Sequence, residues 1–332
     1  MSDVVCEGHT DAVVELSFSR DRGSGSYLAS AGLDGLAVLR HGATGDWIGA
    51  LRKHEAEVWS VSLSEDAGIL ASGGGDCKAR IWDAVLGRQL TRLSHPETVA
   101  CVDLDARGRH LVTGCLGRDP TISLFDLERP DKKEKKEQTA LVVMRGHQRG
   151  VRDVTFCLGE RCVLSSSYDR TVQLWDCLSG QRSHSVVLPH HAKSLELHPD
   201  GETVTIAYGE SLLFLDCRRF EVLRQRKLPF KVTSASLHPG KECYACGDGR
   251  GHVHKFDFAT DALLDSFDCG GGSGGGEVCS LRFSPDGDVC AFARSNGTTV
   301  LWRHNLPRQS GPWSSESSWD EDVELEEDES IS

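Results

Sequence analysis

His147, Ser165 and Asp169 are the three side-chain types of a hydrolytic triad. In such a triad a hydroxyl attacks, an imidazole takes its proton, and a carboxylate orients the imidazole. Two features of the chain argue against that chemistry. A tryptophan, Trp175, follows Asp169 by six residues, and the whole set recurs as His54, Ser72, Asp76 and Trp82. In both copies the serine lies 18 residues after the histidine and four before the aspartate. Repetition in register reads as architecture. An indole N–H can only donate, a hydroxyl donates and accepts, a neutral imidazole does both, and a carboxylate accepts. Four such groups form a chain in which every polar atom is satisfied, and a satisfied buried chain locks one geometry. Both sets are therefore expected to be structural tetrads.

The remaining candidates for chemistry are weaker. Cys243 and Cys246 form a CxxC without a second ligand pair, on a segment that reads as a strand, where residues three apart face opposite ways. His190-His191 reads as a turn leading into a strand. The six glycines around Ser273 in residues 270–276 are not followed by the Lys-Ser/Thr and helix of a phosphate loop, so they read as a connector. No kinase, nucleotide or protease signature is visible. The expectation is a protein without catalytic residues, metal or cofactor.

The elements that would position these residues follow from a repeat. An aliphatic-aromatic-Asp tripeptide ends each unit, clearest in Ile81-Trp82-Asp83 and Leu174-Trp175-Asp176. Looser copies are Leu124-Phe125-Asp126, Phe214-Leu215-Asp216 and Lys255-Phe256-Asp257, with Leu39-Arg40-His41 and Leu301-Trp302-Arg303 as degenerate ends. Their third residues are spaced by 42, 43, 50, 40, 41 and 46 positions. Within a unit, short alternating strands are divided by turns, as in Val151 to Phe156, Cys162 to Ser166 and Thr171 to Trp175. A period of about 40–45 residues ending in Trp-Asp is that of WD-repeat propeller blades. The predicted fold is all-β: a seven-bladed WD-repeat β-propeller over residues 1–305, with a disordered acidic tail at 306–332. Blades should end near 51, 93, 143, 188, 228, 267 and 305, with residues 3–6 supplying the outer strand of blade seven. Other blades depart from the tetrad. Blade one has Arg40 in the Trp position, blade three keeps His95 with a lengthened turn before Asp119, and blades five and six lack a clear turn aspartate. Blade seven has Phe292 and Asn296 in the Ser and Asp positions.

Charge and cysteine usage narrow the function class. The net charge is −13, and nine acids fall in residues 313–332, which hold no Lys or Arg; the ring is left near −4. A mildly acidic ring lacks the basic footprint of a direct nucleic-acid binder. No apolar run approaches the ~20 residues of a membrane helix, and residues 1–7 show no signal-peptide pattern. Thirteen scattered cysteines, mostly on strands, fit a reducing compartment, cytosol or nucleus. The lysine-rich segment 131–137 reads as a solvated loop. In the tail, Ser317 and Ser318 each have an acid three residues on, the pattern of an acid-directed kinase, so both are candidate phosphorylation sites.

Several passages carry a closer resemblance: Gly45-Asp46-Trp47-Ile48-Gly49, Val58-Trp59, Lys78-Ala79-Arg80-Ile81-Trp82-Asp83, Ala207-Tyr208-Gly209, Ser234-Ala235-Ser236-Leu237-His238-Pro239 and Arg282-Phe283-Ser284-Pro285-Asp286-Gly287. In these the chain resembles the serine-threonine kinase receptor-associated group of the WD-repeat family across essentially the whole ring. The resemblance implies a protein-interaction scaffold, monomeric within a hetero-complex. Its implied partners are subunits of the survival-of-motor-neuron complex, which aids spliceosomal snRNP assembly, and transforming-growth-factor-β receptor and Smad proteins, whose signalling it would dampen. Rival readings are the "i" subunit of translation initiation factor three and a ubiquitin-ligase substrate receptor. In WD-repeat rings the second residue of each inner strand, and the residue before the turn aspartate, tend to face one rim. Here these include Trp59, Arg152, Lys193 and Tyr168, residue types that dominate interface energetics.

Overall fold

The computed structural model describes residues 3–20, 25–128, 139–268 and 276–303. The loop 131–137, most of the glycine run 270–276, and the tail with Ser317 and Ser318 lie outside the described residues. Among the described residues there are twenty-eight strands in seven four-stranded antiparallel sheets, and no helix. The protein is a seven-bladed β-propeller. Six blades are simple meanders, such as β14 (Val151–Cys157), β15 (Cys162–Ser167), β16 (Thr171–Asp176) and β17 (Arg182–Val187). The seventh is composite. There β26 (Val278–Phe283), β27 (Cys290–Arg294) and β28 (Thr299–Trp302) are completed by β1 (Val4–Cys6), with Val4 opposite Leu301 and Cys6 opposite Thr299.

The innermost strands of the other blades are β2 (Val13–Phe18), β6 (Val58–Leu63), β10 (Val99–Leu104), β18 (Ala192–Leu197) and β22 (Val232–Leu237). Each packs beside the next around the axis, and β26 meets β2. The apolar core is distributed as wedges between neighbouring sheets. One joins Val112, Ile122 and Met144 of blade three to Val154, Phe156 and Trp175 of blade four. Another joins Leu16 and Leu28 of blade one to Ala291, Ala293 and Leu301 of blade seven.

Every inner strand is the edge of its own sheet, and an edge leaves backbone N–H groups unpaired. Side chains of the preceding blade take them up. At one level Glu15 Oε2 accepts from Val61 N (3.1 Å), Ser60 Oγ from Val102 N (2.9 Å), Asp153 Oδ2 from Leu195 N (2.9 Å), Ser234 Oγ from Leu281 N (3.0 Å) and Ser280 Oγ from Leu16 N (3.2 Å). Two residues along, Ser17, Ser62, Asp103 and Ser236 accept in the same way from Leu63, Leu104, Phe156 and Phe283.

The tetrads of blades two and four are fully formed. In blade four Trp175 Nε1 donates to Ser165 Oγ (2.8 Å), Ser165 Oγ lies 2.8 Å from His147 Nε2, and His147 Nδ1 lies 2.9 Å from Asp169. The blade-two distances for Trp82, Ser72, His54 and Asp76 are 2.9, 2.8 and 2.9 Å. Burial lowers the pKa of both histidines. Each ring is thus neutral at pH 7, with Nδ1–H donating to the carboxylate and Nε2 accepting from the serine.

Departing blades fill the same slot differently. In blade one His9 bonds Ser30 (2.9 Å) and Asp34 (3.0 Å), while the buried Arg40 guanidinium donates to the carbonyls of Gly45 and Glu7 and sits 4.9 Å over Trp47. In blade three His95 bonds Thr113 (2.9 Å), and Asp119 lies on the surface against Arg145. Blade six, expected to lack a turn aspartate, has one. Asp248 is buried and takes the N–H groups of Arg250 and His252, two positions earlier than the aspartate of blade four. That displacement hides it from the spacing rule.

Ser165→Ala leaves the Trp175 indole N–H and a histidine nitrogen buried without partners. At about 1–3 kcal/mol per orphaned group, urea unfolding should show a loss of roughly 2–4 kcal/mol. The exposed Ser179→Ala should change stability by less than about 1 kcal/mol.

Candidate functional site

The candidate site is one rim of the ring, and a repeated backbone irregularity builds it. Each inner strand slips register after its first residue, between Val13 and Glu15, Val58 and Ser60, Val99 and Cys101, Val151 and Asp153, Ala192 and Ser194, Val232 and Ser234, and Val278 and Ser280. A bulge inserts one extra residue and re-aims its side chain. The seven extra residues are Val14, Trp59, Ala100, Arg152, Lys193, Thr233 and Cys279. They ring the axis at one level, one per blade. Lys193 is exposed, whereas Trp59, Arg152 and Cys279 are half-buried.

Three of the four rim residues singled out from sequence come together. The Tyr168 ring, 39% exposed, lies 5.2 Å from the ring of His191. Burial, then the charges of Lys193 and Arg152, hold the His191 pKa below its ordinary value. Tyr168, Arg152, His191 and Lys193 therefore form one aromatic and cationic cluster across blades four and five. His191 was read from sequence only as a turn residue. Trp59 stands apart on blade two, beside Gly75 and near Glu57, where a Cβ on the glycine would lie 3.6 Å from the indole nitrogen. Cys279 belongs to the same ring of bulges, but burial and Glu277 push its thiol up to about 11, which keeps it a poor nucleophile. Cys243 and Cys246 pack into different wedges, facing blades seven and five respectively, and share no ligand geometry.

Below the bulges the axis holds a cavity of about 720 Å³ lined by Glu15, Asp103, Asp153, Glu196 and Arg282. Glu15, Asp153 and Glu196 all feel the Arg282 guanidinium there, and Arg152 adds a second positive charge at Glu15 and Asp153. Burial raises the pKa of each of the four carboxyls, that of Asp103 to about 6 and that of Glu196 to about 7; Asp153 adds to the rise at Glu15. Arg282 works the other way at Glu196, with its Nε 3.8 Å from the carboxylate. A carboxyl whose folded pKa is raised contributes stability that is complete below its unfolded pKa and is lost as pH rises through the folded value. The buried His9, His54 and His147 act oppositely, because their lowered pKa values give stability present above about 6.5 and lost on acidification. Glu196→Gln keeps an acceptor for Ser236, whose hydroxyl now donates to Glu196 at 2.8 Å. The variant should be more stable than the parent at pH 8, on the order of 1–3 kcal/mol, and equal to it near pH 4.5, in urea titrations across that range.

Comparison with known proteins agrees with this architecture. The family model described as "WD domain, G-beta repeat" matches residues 45–83, 87–126, 138–176 and 266–303. The serine-threonine kinase receptor-associated protein of Gallus gallus is 33% identical over 310 residues, covering 93% of this chain and 85% of the relative. The protein of that name from Dictyostelium discoideum is 32% identical, covering 90% and 98%. Eukaryotic translation initiation factor 3 subunit I of Bombyx mori is 22% identical, covering 90% and 94%. The chain belongs to the WD-repeat family of serine-threonine kinase receptor-associated proteins.

Proposed function

We propose that the ring is a non-enzymatic scaffold of the survival-of-motor-neuron complex, where it aids spliceosomal snRNP assembly in the cytoplasm and nucleus. Family membership supports the scaffold. The observation that carries the binding reading is the Tyr168–Arg152–His191–Lys193 cluster. Each of its side chains lies at the surface or partly so, and an aromatic ring beside two cations is well suited to an acidic or aromatic protein segment. The His-Ser-Asp sets of blades one, two and four are bonded within themselves, in blades two and four as full tetrads, so their hydroxyls and imidazoles are already committed to structural bonds. By the same family reasoning, contacts with transforming-growth-factor-β receptor and Smad proteins are a second role. Ser317 and Ser318 would be phosphorylated in the acidic tail.

A second reading, the initiation-factor "i" subunit, draws on the 22% identity with the Bombyx mori protein. A ubiquitin-ligase receptor has no specific observation in its favour.

Tagged chain purified from its own cells with ribonuclease treatment should retain Sm-assembly proteins by mass spectrometry. The double variant Tyr168→Ala/Lys193→Glu should lose them about tenfold, while its unfolding midpoint stays within about 1 kcal/mol of the parent. Recovery of initiation-factor subunits would establish the second reading. Unchanged recovery with the variant would remove the cluster from the interface.

A further inference from the structure

Blade six carries a second group of chemistry-bearing side chains that the rim does not use. His252 and His254 stand two apart on β24 (His252–Asp257), so both rings leave the same face of the sheet. Asp248 ends the neighbouring strand, β23 (Cys243–Asp248), one step beyond the Gly247–Val253 pair. Its Oδ2 lies 3.0 Å from His252 Nδ1 and 3.9 Å from His254 Nε2, and one ligand atom from each residue falls within 4.8 Å of the other two. A tetrahedral zinc ion with bonds of about 2.0–2.1 Å holds its ligand atoms about 3.3–3.5 Å apart. The two measured gaps bracket that spacing.

The surroundings orient the three groups. Asp248 Oδ1 accepts the N–H groups of Arg250 and His252, both at 2.8 Å, which leaves Oδ2 toward the rings. His254 Nδ1 lies 3.2 Å from Ser266 Oγ on β25 (Leu263–Asp268), and a hydrogen donated there leaves the Nε2 lone pair facing Asp248. Phe230 stacks on the His254 ring at 4.4 Å. Asp248 is buried, while the His252 side chain is 34% exposed, so the group opens to solvent on one side. Three protein ligands and an open side for water match a four-coordinate ion.

Blade six also has the need. It carries Leu228, Cys246, Arg250 and Phe256 in the four tetrad positions. We propose that Asp248, His252 and His254 bind a zinc-class divalent cation, which clips β23, β24 and, through Ser266, β25 together in a blade that has no tetrad. The ion would crosslink the second and third strands of the sheet near the turn that the tetrad secures in blade four.

The test uses the full-length chain after chelator treatment, dialysed against Zn²⁺, with metal counted per chain and thermal unfolding followed in the same samples. One zinc per chain and a midpoint raised by several degrees are expected, because a ligand that binds only the folded state stabilises it. His254→Gln should weaken zinc binding at least tenfold and abolish the rise, with its midpoint in chelator matching the parent. His252→Gln, which leaves the Phe230 stacking in place, should do the same. Cobalt in place of zinc should give tetrahedral visible bands without thiolate charge transfer, which separates this site from the thirteen cysteines. Equal zinc uptake by both histidine variants, or a thiolate charge-transfer band, would overturn the site.

Discussion

The ring depends on hydrogen bonds between blades that no sheet ladder supplies. Seven inner strands converge on an axis, and each presents an edge to its neighbour. Backbone N–H groups there would be left in a narrow channel. The protein meets this with short acceptors along most of the inner strands: Glu15 and Ser17, Ser60 and Ser62, Asp103, Asp153, Ser234 and Ser236, and Ser280. Because each acceptor serves the next blade, the bonds run in one direction around the circle. The polarity of the channel follows directly. Most of these axial side chains accept hydrogen bonds from the next blade, and the acidic ones among them carry raised carboxyl pKa values as a by-product of closure.

Against that common frame the blades are free to vary in how they lock their own turns. Blades two and four use an indole, a hydroxyl, an imidazole and a carboxylate. Blade one replaces the indole with Arg40, whose extra donors find two backbone carbonyls. Blades five and six substitute apolar mass: Phe214, Tyr244, Phe256 and Phe258 pack at centroid distances of 5.1 to 6.4 Å. Blade seven packs Phe292 and Trp302 against Phe267 of blade six. The common requirement is that the slot be filled and its polar atoms satisfied.

How much of this was legible in the sequence depended on whether a feature repeats. The Trp-Asp interval and the two matching tetrads located the sheets, because each is fixed by a period. Trp59, Arg152 and Lys193 shared a legible cause, their place as second residue of an inner strand, which is where every bulge falls. The association of Tyr168 with His191 was not legible, since it joins turns of different blades. The channel acids were equally hidden: Glu15 or Asp153 on an alternating strand reads as a solvent-facing residue in any sheet that is not bent around an axis. Asp248 was missed because its turn uses an aspartate two positions early. His252 and His254 did show the same-face spacing of a strand, but the carboxylate that completes the group comes from that displaced turn.

The pairing of Val4 with Leu301 has a consequence for how the chain is made. The two residues lie nearly three hundred positions apart, and β1 has no other partner strand. During synthesis the first strand emerges early and finds nothing to pair with until blade seven has cleared the ribosome. For most of translation, the nascent protein is an open arc with two sticky ends: an early extended strand, and whichever blade was completed last. Unpaired strand edges of this kind are what make slow, long-range β assemblies prone to misassociation. The closing step therefore combines the three-residue pairing of β1 with β28 and the docking of blade seven on blade one, and it is the step at which a holding chaperone would have most to do.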